Sequence, residues 1–183
     1  MHRGGEFYAL SKIGPSTFEP YIVAARDNSY FCSSVIMPVK TPWGEVKQAI
    51  CVKHTIIISQ DLHGNLITED EAHYINAILN SDIVHSYIHS TFKTNGFSLN
   101  KSNLFLPKFD ASNRLHSRLA ALSRYASDPL NERKRKRVSM VATDIYIQLC
   151  KEMNVSCKLA PYAIPIDAEI SIAAEAVPFE CYK

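Results

Sequence analysis

Two lysines and two asparagines in a short polar stretch of the sequence have the chemistry needed to read base pairs. They are Lys93, Asn95, Asn100 and Lys101. Lysine can donate hydrogen bonds to O6 and N7 of guanine, and asparagine can pair with N6 and N7 of adenine, when the side chain reaches the major groove of DNA. Because the stretch has almost no aliphatic content, we expect an exposed loop over residues 93–106 whose side chains contact base edges.

Positive charge is concentrated in and after this loop. Residues 93–137 contain eleven Lys and Arg against three Asp and Glu, a net charge of +8, whereas the whole 183-residue chain carries +2. Such a cluster neutralises phosphates, so double-stranded DNA is the expected partner. Four cations after the loop are expected to hold phosphates, namely Lys108, Arg114, Arg118 and Arg124. For the five consecutive cations at 133–137, here called the basic run, a solvated helix face is an equally open interpretation.

An amphipathic helix is predicted immediately before the loop, over about 69–92. Thr68 can accept a hydrogen bond from the first turn, and Glu71 can complete a capping box. Glu69 and Asp70 place negative charge at the positive end of the helix dipole. Apolar residues then recur at helical spacing, namely Ala72, Ile75, Ile78, Leu79, Ile83, Val84, Tyr87 and Ile88. A rigid helix should therefore hold the start of the loop in position.

The segments on either side of this helix predict an α+β domain. Short strands with turn signals between them predict a small, mostly antiparallel sheet within 7–59, with strands at 7–13, 21–26, 33–39 and 48–59 and a hairpin turn at 40–45. The apolar end of the last strand is expected to be buried on both faces. Two helices should follow the loop, one over about 113–126 capped by Ser112 and one over about 129–153 started by Asp128 and Pro129. The domain spans 1–157, and 158–183 is expected to be an extended or partly ordered C-terminal extension.

Several motifs in this order resemble a known family. They are "ILNS" in the helix, "GFSLNK" in the loop and "LPKFD" after it, preceded by "FYALSKIGPSTFEPYIV" and "VIMPVKTPWGEVKQAI". Over residues 7–127 the chain resembles the target-recognition domain of adenine-N6 DNA methyltransferases of restriction-modification systems, the TaqI-like group and its fused type IIG relatives. The resemblance implies that this domain contacts base edges in the major groove. The expected partner is a methyltransferase or nuclease catalytic domain or subunit. The methyltransferase would flip the adenine and transfer the methyl group of S-adenosylmethionine.

The sequence motifs of the catalytic half of such enzymes are missing. There is no Pro-Pro pair for a tetrapeptide that grips the flipped adenine, and no Gly-x-Gly turn for the methyl donor, a dinucleotide or a phosphate loop. We therefore expect a non-catalytic specificity module without a cofactor of its own, with S-adenosylmethionine bound by the catalytic partner. Whether the module is a fragment of a larger protein or a separate subunit stays open.

Other functions remain as alternatives. A module that docks onto a restriction-modification or defence complex could use the long last helix and would bind protein. A Mg²⁺-dependent nuclease could use Glu45 and Lys47 with an upstream carboxylate such as Asp27. His85 and His89 have a spacing that can share zinc, although no third ligand is evident. Trp43 could stack on a base, with turn packing as the plainer interpretation.

Composition sets the remaining expectations. No apolar run approaches the roughly 20 residues that a membrane helix needs, and residues 1–5 lack the apolar core of a secretory signal. A cytoplasmic protein without membrane contact is therefore expected. The five cysteines are an odd number without a Cys-x-x-Cys pair, which favours reduced thiols over a disulfide framework or a zinc ribbon.

Overall fold

A computed structural model describes residues 18–26, 31–51, 55–61, 63–91 and 104–154. These residues form a mixed α+β fold with a small antiparallel sheet, as the sequence predicts. The predicted strand at 7–13, most of the 93–106 loop and the C-terminal extension lie outside the described residues. None of the helices in the described part of the chain has the length and apolar character that a membrane crossing requires.

Within the described ranges, five short strands build two antiparallel sheets. They are β1 (Ile22–Arg26), β2 (Ser33–Ile36), β3 (Val39–Lys40), β4 (Val46–Lys47) and β5 (Thr55–Ile58). In the larger sheet the order is β2-β1-β5, and Val23 pairs with Val35 on one side and with Ile58 on the other. Strands β3 and β4 flank the turn predicted at 40–45, which places Gly44 at φ 90°, a conformation that favours glycine. The strand after the turn is β4 and not the predicted 48–59 segment, whose residues 48–51 form no strand. The hairpin projects from the body, because its four strand residues are all exposed.

Two strand predictions need correction. The single strand predicted over 33–39 is two strands, since Pro38 lies between β2 and β3 and has no N–H for a ladder. The apolar end of the 48–59 segment is not buried on both faces, because all four residues of β5 are only half-buried. Among the described strands β5 lies at the sheet edge, and β1 is the central strand, with Val23 and Ala25 fully buried against the helices.

The helix predicted over 69–92 is in fact two helices, α1 (Glu69–Leu79) and α2 (Asp82–Thr91). Its start is confirmed, because the Thr68 hydroxyl accepts a hydrogen bond from the Glu71 N–H at 3.2 Å. The break falls at Asn80 and Ser81. There the Ser81 hydroxyl donates to the carbonyl of Ile78 at 2.6 Å and the Asn80 side chain bonds to strand β2. Side-chain bonds of this kind compete with the helical ladder and end α1.

The downstream helices begin at different residues from those predicted. Helix α3 (Arg114–Ser127) is capped by Asn113, whose side-chain oxygen accepts from the Leu115 N–H at 2.8 Å. Ser112 instead donates to Asp110, so its predicted role as the cap was wrong. Asp128 and Pro129 do start a helical segment, but it opens as a 3₁₀ helix (Pro129–Lys134) that leads into α4 (Arg135–Glu152).

The core lies where α1 packs between the sheet and the α3–α4 pair. Its largest fully buried side chains include Tyr74, Ile78, Leu79, Leu119, Ile145, Tyr146 and Leu149. Tyr74 and Tyr146 also donate hydrogen bonds to the backbone, Tyr74 to the carbonyl of Pro107 at 3.1 Å and Tyr146 to that of Phe105 at 2.6 Å. The core thus fixes residues 104–110, which connect the predicted loop to α3.

Candidate nucleic-acid interface

The four predicted base readers cannot be placed on this fold. Lys93, Asn95, Asn100 and Lys101 lie outside the described residues, and their role stays a prediction. The segment that follows them is firmly held, since both core tyrosines bond to its backbone. Any group at the end of the loop is therefore connected to a rigid support.

Lys108, the first predicted phosphate contact, lies between two carboxylates. Its ammonium is 2.8 Å from Glu71 Oε1 and 3.0 Å from Asp61 Oδ2. The hydrogen bond to Glu71 and that to Asp61 raise the pKa of Lys108. Hydrogen bonds from Asn65, together with that from Lys108, hold the pKa of Asp61 well below its usual range. A phosphate would have to compete with both carboxylates for this cation.

Arg124 is also paired. Its guanidinium contacts the acidic first turn of α1, with Nε 3.5 Å from Glu69 Oε1 and an Nη2 contact to Asp70 Oδ1. The same two acidic residues favour the positive end of the α1 dipole. Lys108 and Arg124 are called the paired cations below. Both connect parts of the fold that are distant in sequence, which is a structural role.

The other two predicted phosphate contacts are on α3. Arg114 is exposed in the first turn, and Arg118 is half-buried one turn later. The four predicted residues therefore do not form one surface of equivalent cations. Arg114 is the one whose exposure best suits a phosphate.

The basic run at the start of α4 is the most exposed concentration of positive charge in the described part of the chain. All five residues from Arg133 to Arg137 are exposed. Lys134 and Arg135 contact the end of α3. The ammonium of Lys134 lies 5.4 Å from the centre of the Tyr125 ring, and Arg135 Nε donates to the carbonyl of Ala126 at 3.0 Å. Arg135 also lies 3.9 Å from a carboxylate oxygen of Glu132, an exposed pair that is easily displaced.

An open groove of about 720 Å³ lies beside the basic run. We call it the α1 groove, because one face of α1 forms its floor with His73, Asn76 and Asn80. Strand β2 and the preceding residues line one side, and the end of α3 and the first two turns of α4 line the other. Arg135 and Lys136 of the basic run are among the lining residues.

Hydrogen bonds between different elements fix this floor. Asn76 donates to the Ser123 hydroxyl at 2.9 Å and accepts from the Ser33 hydroxyl at 2.8 Å, so it connects α1 to α3 and to β2. Asn80 accepts from the Ser33 N–H at 3.1 Å and donates to the Ser33 carbonyl at 3.0 Å. His73 Nδ1 lies 3.0 Å from the same Ser123 hydroxyl.

Two histidines of this region, His73 and His116, are buried. Burial lowers the pKa of His73, and the nearby Arg124 charge lowers it further. Burial also lowers the pKa of His116, which packs against Tyr74 with ring centres 4.6 Å apart. The backbone N–H of Asp110 donates to His116 Nδ1 at 2.9 Å, which requires that nitrogen to be unprotonated. These histidines stabilise the helix packing.

A serine–histidine pair is present at Ser123 and His73, but both side chains are buried among structural hydrogen bonds.

Trp43 is at the tip of the β3–β4 hairpin and is 70% exposed. Its indole N–H donates to Glu45 Oε2 at 3.2 Å, and the Lys47 ammonium lies 5.7 Å from the ring centre. The ring thus has a defined orientation on an exposed turn.

Glu45 and Lys47, the pair considered for nuclease chemistry, form an ion pair with each other, with the Lys47 ammonium 3.1 Å from a Glu45 carboxylate oxygen. Asp27, the upstream carboxylate considered with them, lies outside the described residues.

The possible metal ligands on α2 are His85 and His89. The rings of His85 and His89 are 5.3 Å apart between centres. Within the described ranges, no group of three His, Cys, Asp or Glu side chains could hold a metal ion.

Sequence reasoning missed the groove, although part of its signal was available. His73, Asn76 and Asn80 are spaced by three and four residues, so they form a polar stripe along a helix whose other positions are largely apolar. A stripe of this kind indicates a polar partner or a polar cavity. The serines that complete the network, Ser33 and Ser123, are 90 residues apart in sequence and give no local signal.

Comparison with known proteins gives no family for this chain. No protein-family model matches the sequence, and neither curated proteins nor solved structures show a significant similarity to it.

Proposed function

We propose that this chain is a sequence-specific module that binds double-stranded DNA for an adenine-N6 methyltransferase or a fused restriction enzyme. The observation that carries the DNA-binding part is the basic run, five consecutive exposed cations beside an open groove. Arginine and lysine on a helix can approach phosphates along one strand, and each neutralised phosphate releases counterions. The specificity part depends on the sequence motifs and on the residue types at 93–101.

Phosphate binding and base recognition belong to different regions of the chain in this proposal. The basic run and Arg114 hold phosphates, and Lys93, Asn95, Asn100 and Lys101 read base edges. The paired cations support the fold instead. Such a separation suits a module whose readout residues vary while its scaffold stays fixed.

The methyl-transfer chemistry is assigned to a partner domain or subunit. This chain lacks the Pro-Pro and Gly-x-Gly elements that would hold the flipped adenine and S-adenosylmethionine. We expect no donor binding by the chain alone. Saturable binding of S-adenosylmethionine at micromolar concentration in a calorimetric titration would contradict this division.

A second candidate function, docking onto a protein partner, is favoured by the β3–β4 hairpin. Trp43, Val39 and Val46 are all more than half exposed on this projecting element. Exposed apolar clusters of this kind often mark protein contacts. A docking module would bind DNA weakly and with little dependence on salt.

Salt dependence separates the two functions. The full chain is titrated into a fluorescent duplex at several salt concentrations, and the logarithm of the binding constant is plotted against that of the salt concentration. DNA binding through the basic run predicts a straight line with a slope near −0.9 for each phosphate contacted. Binding that is unchanged between low and physiological salt would favour the docking function.

Base readout requires a preferred site, which selection from a randomised duplex pool supplies. Replacing Lys93, Asn95 or Lys101 with alanine should cost roughly 1 to 3 kcal/mol on that site and little on random DNA. Equal losses on both kinds of DNA would make the loop a phosphate contact rather than a reader.

A further inference from the structure

The α1 groove has a cationic rim on one side only. Arg135 and Lys136 line it at the start of α4, and Arg135 is held there by its bond to the carbonyl of Ala126. Among the lining residues in the described part of the chain, Asp82 is the single carboxylate. It meets the Ser139 hydroxyl, which donates to it at 2.6 Å, about one helical turn along α4 from Arg135. One end of the groove therefore attracts an anion.

The rest of the lining combines polar groups with apolar side chains such as Phe31, Val35 and Met37, a mixture that suits the sugar and base of a nucleotide. Five serines contribute to it, namely Ser33, Ser34, Ser123, Ser127 and Ser139, together with the amides of Asn76 and Asn80. Of these, Ser34 and Ser127 are exposed, and hydroxyl groups can bond to phosphate esters, sugar oxygens and base edges. A volume of about 720 Å³ lies within the range of small-ligand sites.

The floor is already ordered before any ligand binds. The Asn76 side chain bonds to the hydroxyls of Ser33 and Ser123. The Asn80 side-chain oxygen accepts from the Ser33 backbone N–H, and its amide nitrogen donates to the Ser33 backbone carbonyl. These bonds join α1, α3 and β2 on three sides of the groove. A ligand would not have to order these side chains, which removes a common cost of binding.

We propose that the α1 groove binds one phosphorylated nucleoside unit of a DNA strand, with the phosphate at Arg135 and Lys136 and the sugar and base over the α1 floor. This inference rests on the proposed DNA-binding function and assigns its strand contact to a specific cavity. The same chemistry is available from a free nucleotide, and the experiment distinguishes the two sources.

Ser127 provides the main test, because it is exposed, lines the groove and carries no charge. Replacing it with tryptophan should block the groove and weaken binding of a fluorescent single-stranded oligonucleotide by at least about tenfold, the size of one lost charge-assisted contact. Ser117→Trp is the matched control, since Ser117 is an exposed serine on the same helix outside the groove. It should leave the affinity unchanged, and thermal unfolding of both variants checks the fold.

A second measurement reports on the groove directly and does not depend on tolerance of a large residue. Cys32 is exposed and lines the groove, whereas Cys51 is half-buried and does not. Saturating oligonucleotide should slow alkylation of Cys32, as followed by mass spectrometry, and leave the rate at Cys51 unchanged. Lys136→Gln should remove this protection. Lys151→Gln should keep it, because Lys151 is an exposed cation of α4 that lies outside both the basic run and the groove.

The outcomes separate the groove from the function it rests on. If Ser127→Trp binds the oligonucleotide as well as the parent and Cys32 stays reactive in the complex, the groove proposal is overturned and DNA binding stands. If deoxyadenosine 5′-monophosphate protects Cys32 but neither single strand nor duplex binds, the groove is a nucleotide site and the DNA-binding function fails. If no nucleotide or nucleic acid binds, both are overturned.

Discussion

The paired cations and the basic run belong to the same positively charged stretch of sequence but differ in what surrounds them. Lys108 and Arg124 face carboxylates at or near the start of α1. The five residues of the basic run are exposed where the 3₁₀ helix leads into α4, and Arg135 forms a long ion pair with Glu132. Local net charge alone therefore does not show which cations pair with carboxylates in the folded protein.

The difference arises from residues that are far away in sequence. The carboxylates that pair with Lys108 and Arg124 are Asp61, Glu69, Asp70 and Glu71, which precede the charged stretch entirely. Asp61 and Lys108 are 47 residues apart in sequence, and Glu69 and Arg124 are 55 residues apart. Only folding brings these partners together. The acidic turn that caps α1 thus has a second use in holding α3 and the segment before it.

Neutralising the basic run should have the largest effect. Replacing Arg133, Arg135 and Arg137 with glutamine should lower duplex affinity by on the order of 100-fold at low salt and make the salt slope shallower by about 2 to 3. Unfolding free energy should change by less than about 0.5 kcal/mol, because exposed charges contribute little to stability. Fluorescence anisotropy and denaturant titration measure the two quantities.

The control for that variant removes the same charge elsewhere. Arg26, Lys40 and Lys151 are exposed cations outside the basic run and the α1 groove. Their joint replacement with glutamine should reduce affinity far less. Equal losses in the two triple variants would show a nonspecific effect of net charge and erase the contrast between the two regions.

Removing Lys108 should affect the fold instead of DNA binding. Lys108→Met leaves the buried Glu71 carboxylate without its ammonium partner and should lower the unfolding free energy by about 1 to 2 kcal/mol, a value reduced because the lysine itself is largely exposed. Duplex affinity should stay the same. Lys151→Met, on the exposed end of α4, is the matched control for stability. A loss of affinity in Lys108→Met would return this residue to the phosphate contacts.

Whether the sequence predicts an element depends on how close together in the chain the residues lie that determine it. Thr68 capping, the turn at Gly44 and the start at Asp128–Pro129 depend on residues a few positions apart, and the sequence predicts all three. The break between α1 and α2 was missed because it depends on Asn80 bonding to β2, 47 residues upstream. The apolar periodicity continues across the break and hides it.

The candidate site was harder to predict for the same reason. The basic run is visible in the sequence because its five cations are consecutive. The carboxylates that pair with Lys108 and Arg124 are distant in sequence, so these ion pairs are visible only in the folded structure. The α1 groove needs β2, α1, α3 and α4 together, and no single segment indicates it. Prediction also fails at short range for the cap of α3, because Ser112 and Asn113 are both good cap residues. Ser112 bonds to Asp110, and Asn113 therefore caps the helix.

Acid should weaken the region around α1 and α3 without acting on the basic run. The folded pKa values of His73 and His116 lie below their usual 6.5, so the unfolded chain takes up protons first as the pH falls through 6.5. Stability is therefore full above this pH and declines below it. Unfolding titrations at pH 7 and pH 5 measure the decline, and His73→Gln with His116→Gln should flatten it. An unchanged slope in the double variant would assign the decline to other groups.

Arg124 should give the smallest effect and the finest test of the comparison. Its pairs with Glu69 and Asp70 are partly exposed, and pairs of this kind contribute roughly 0 to 1 kcal/mol. Arg124→Gln should therefore lower the unfolding free energy by no more than about 1 kcal/mol, and the difference should shrink in about 1 M salt, where the screening length falls to roughly 3 Å. Because the guanidinium already faces carboxylates, the salt slope of duplex binding should equal that of the parent. A slope shallower by about 0.9 would mean that Arg124 releases its carboxylates to hold a phosphate, and the two groups of cations would then act as one surface.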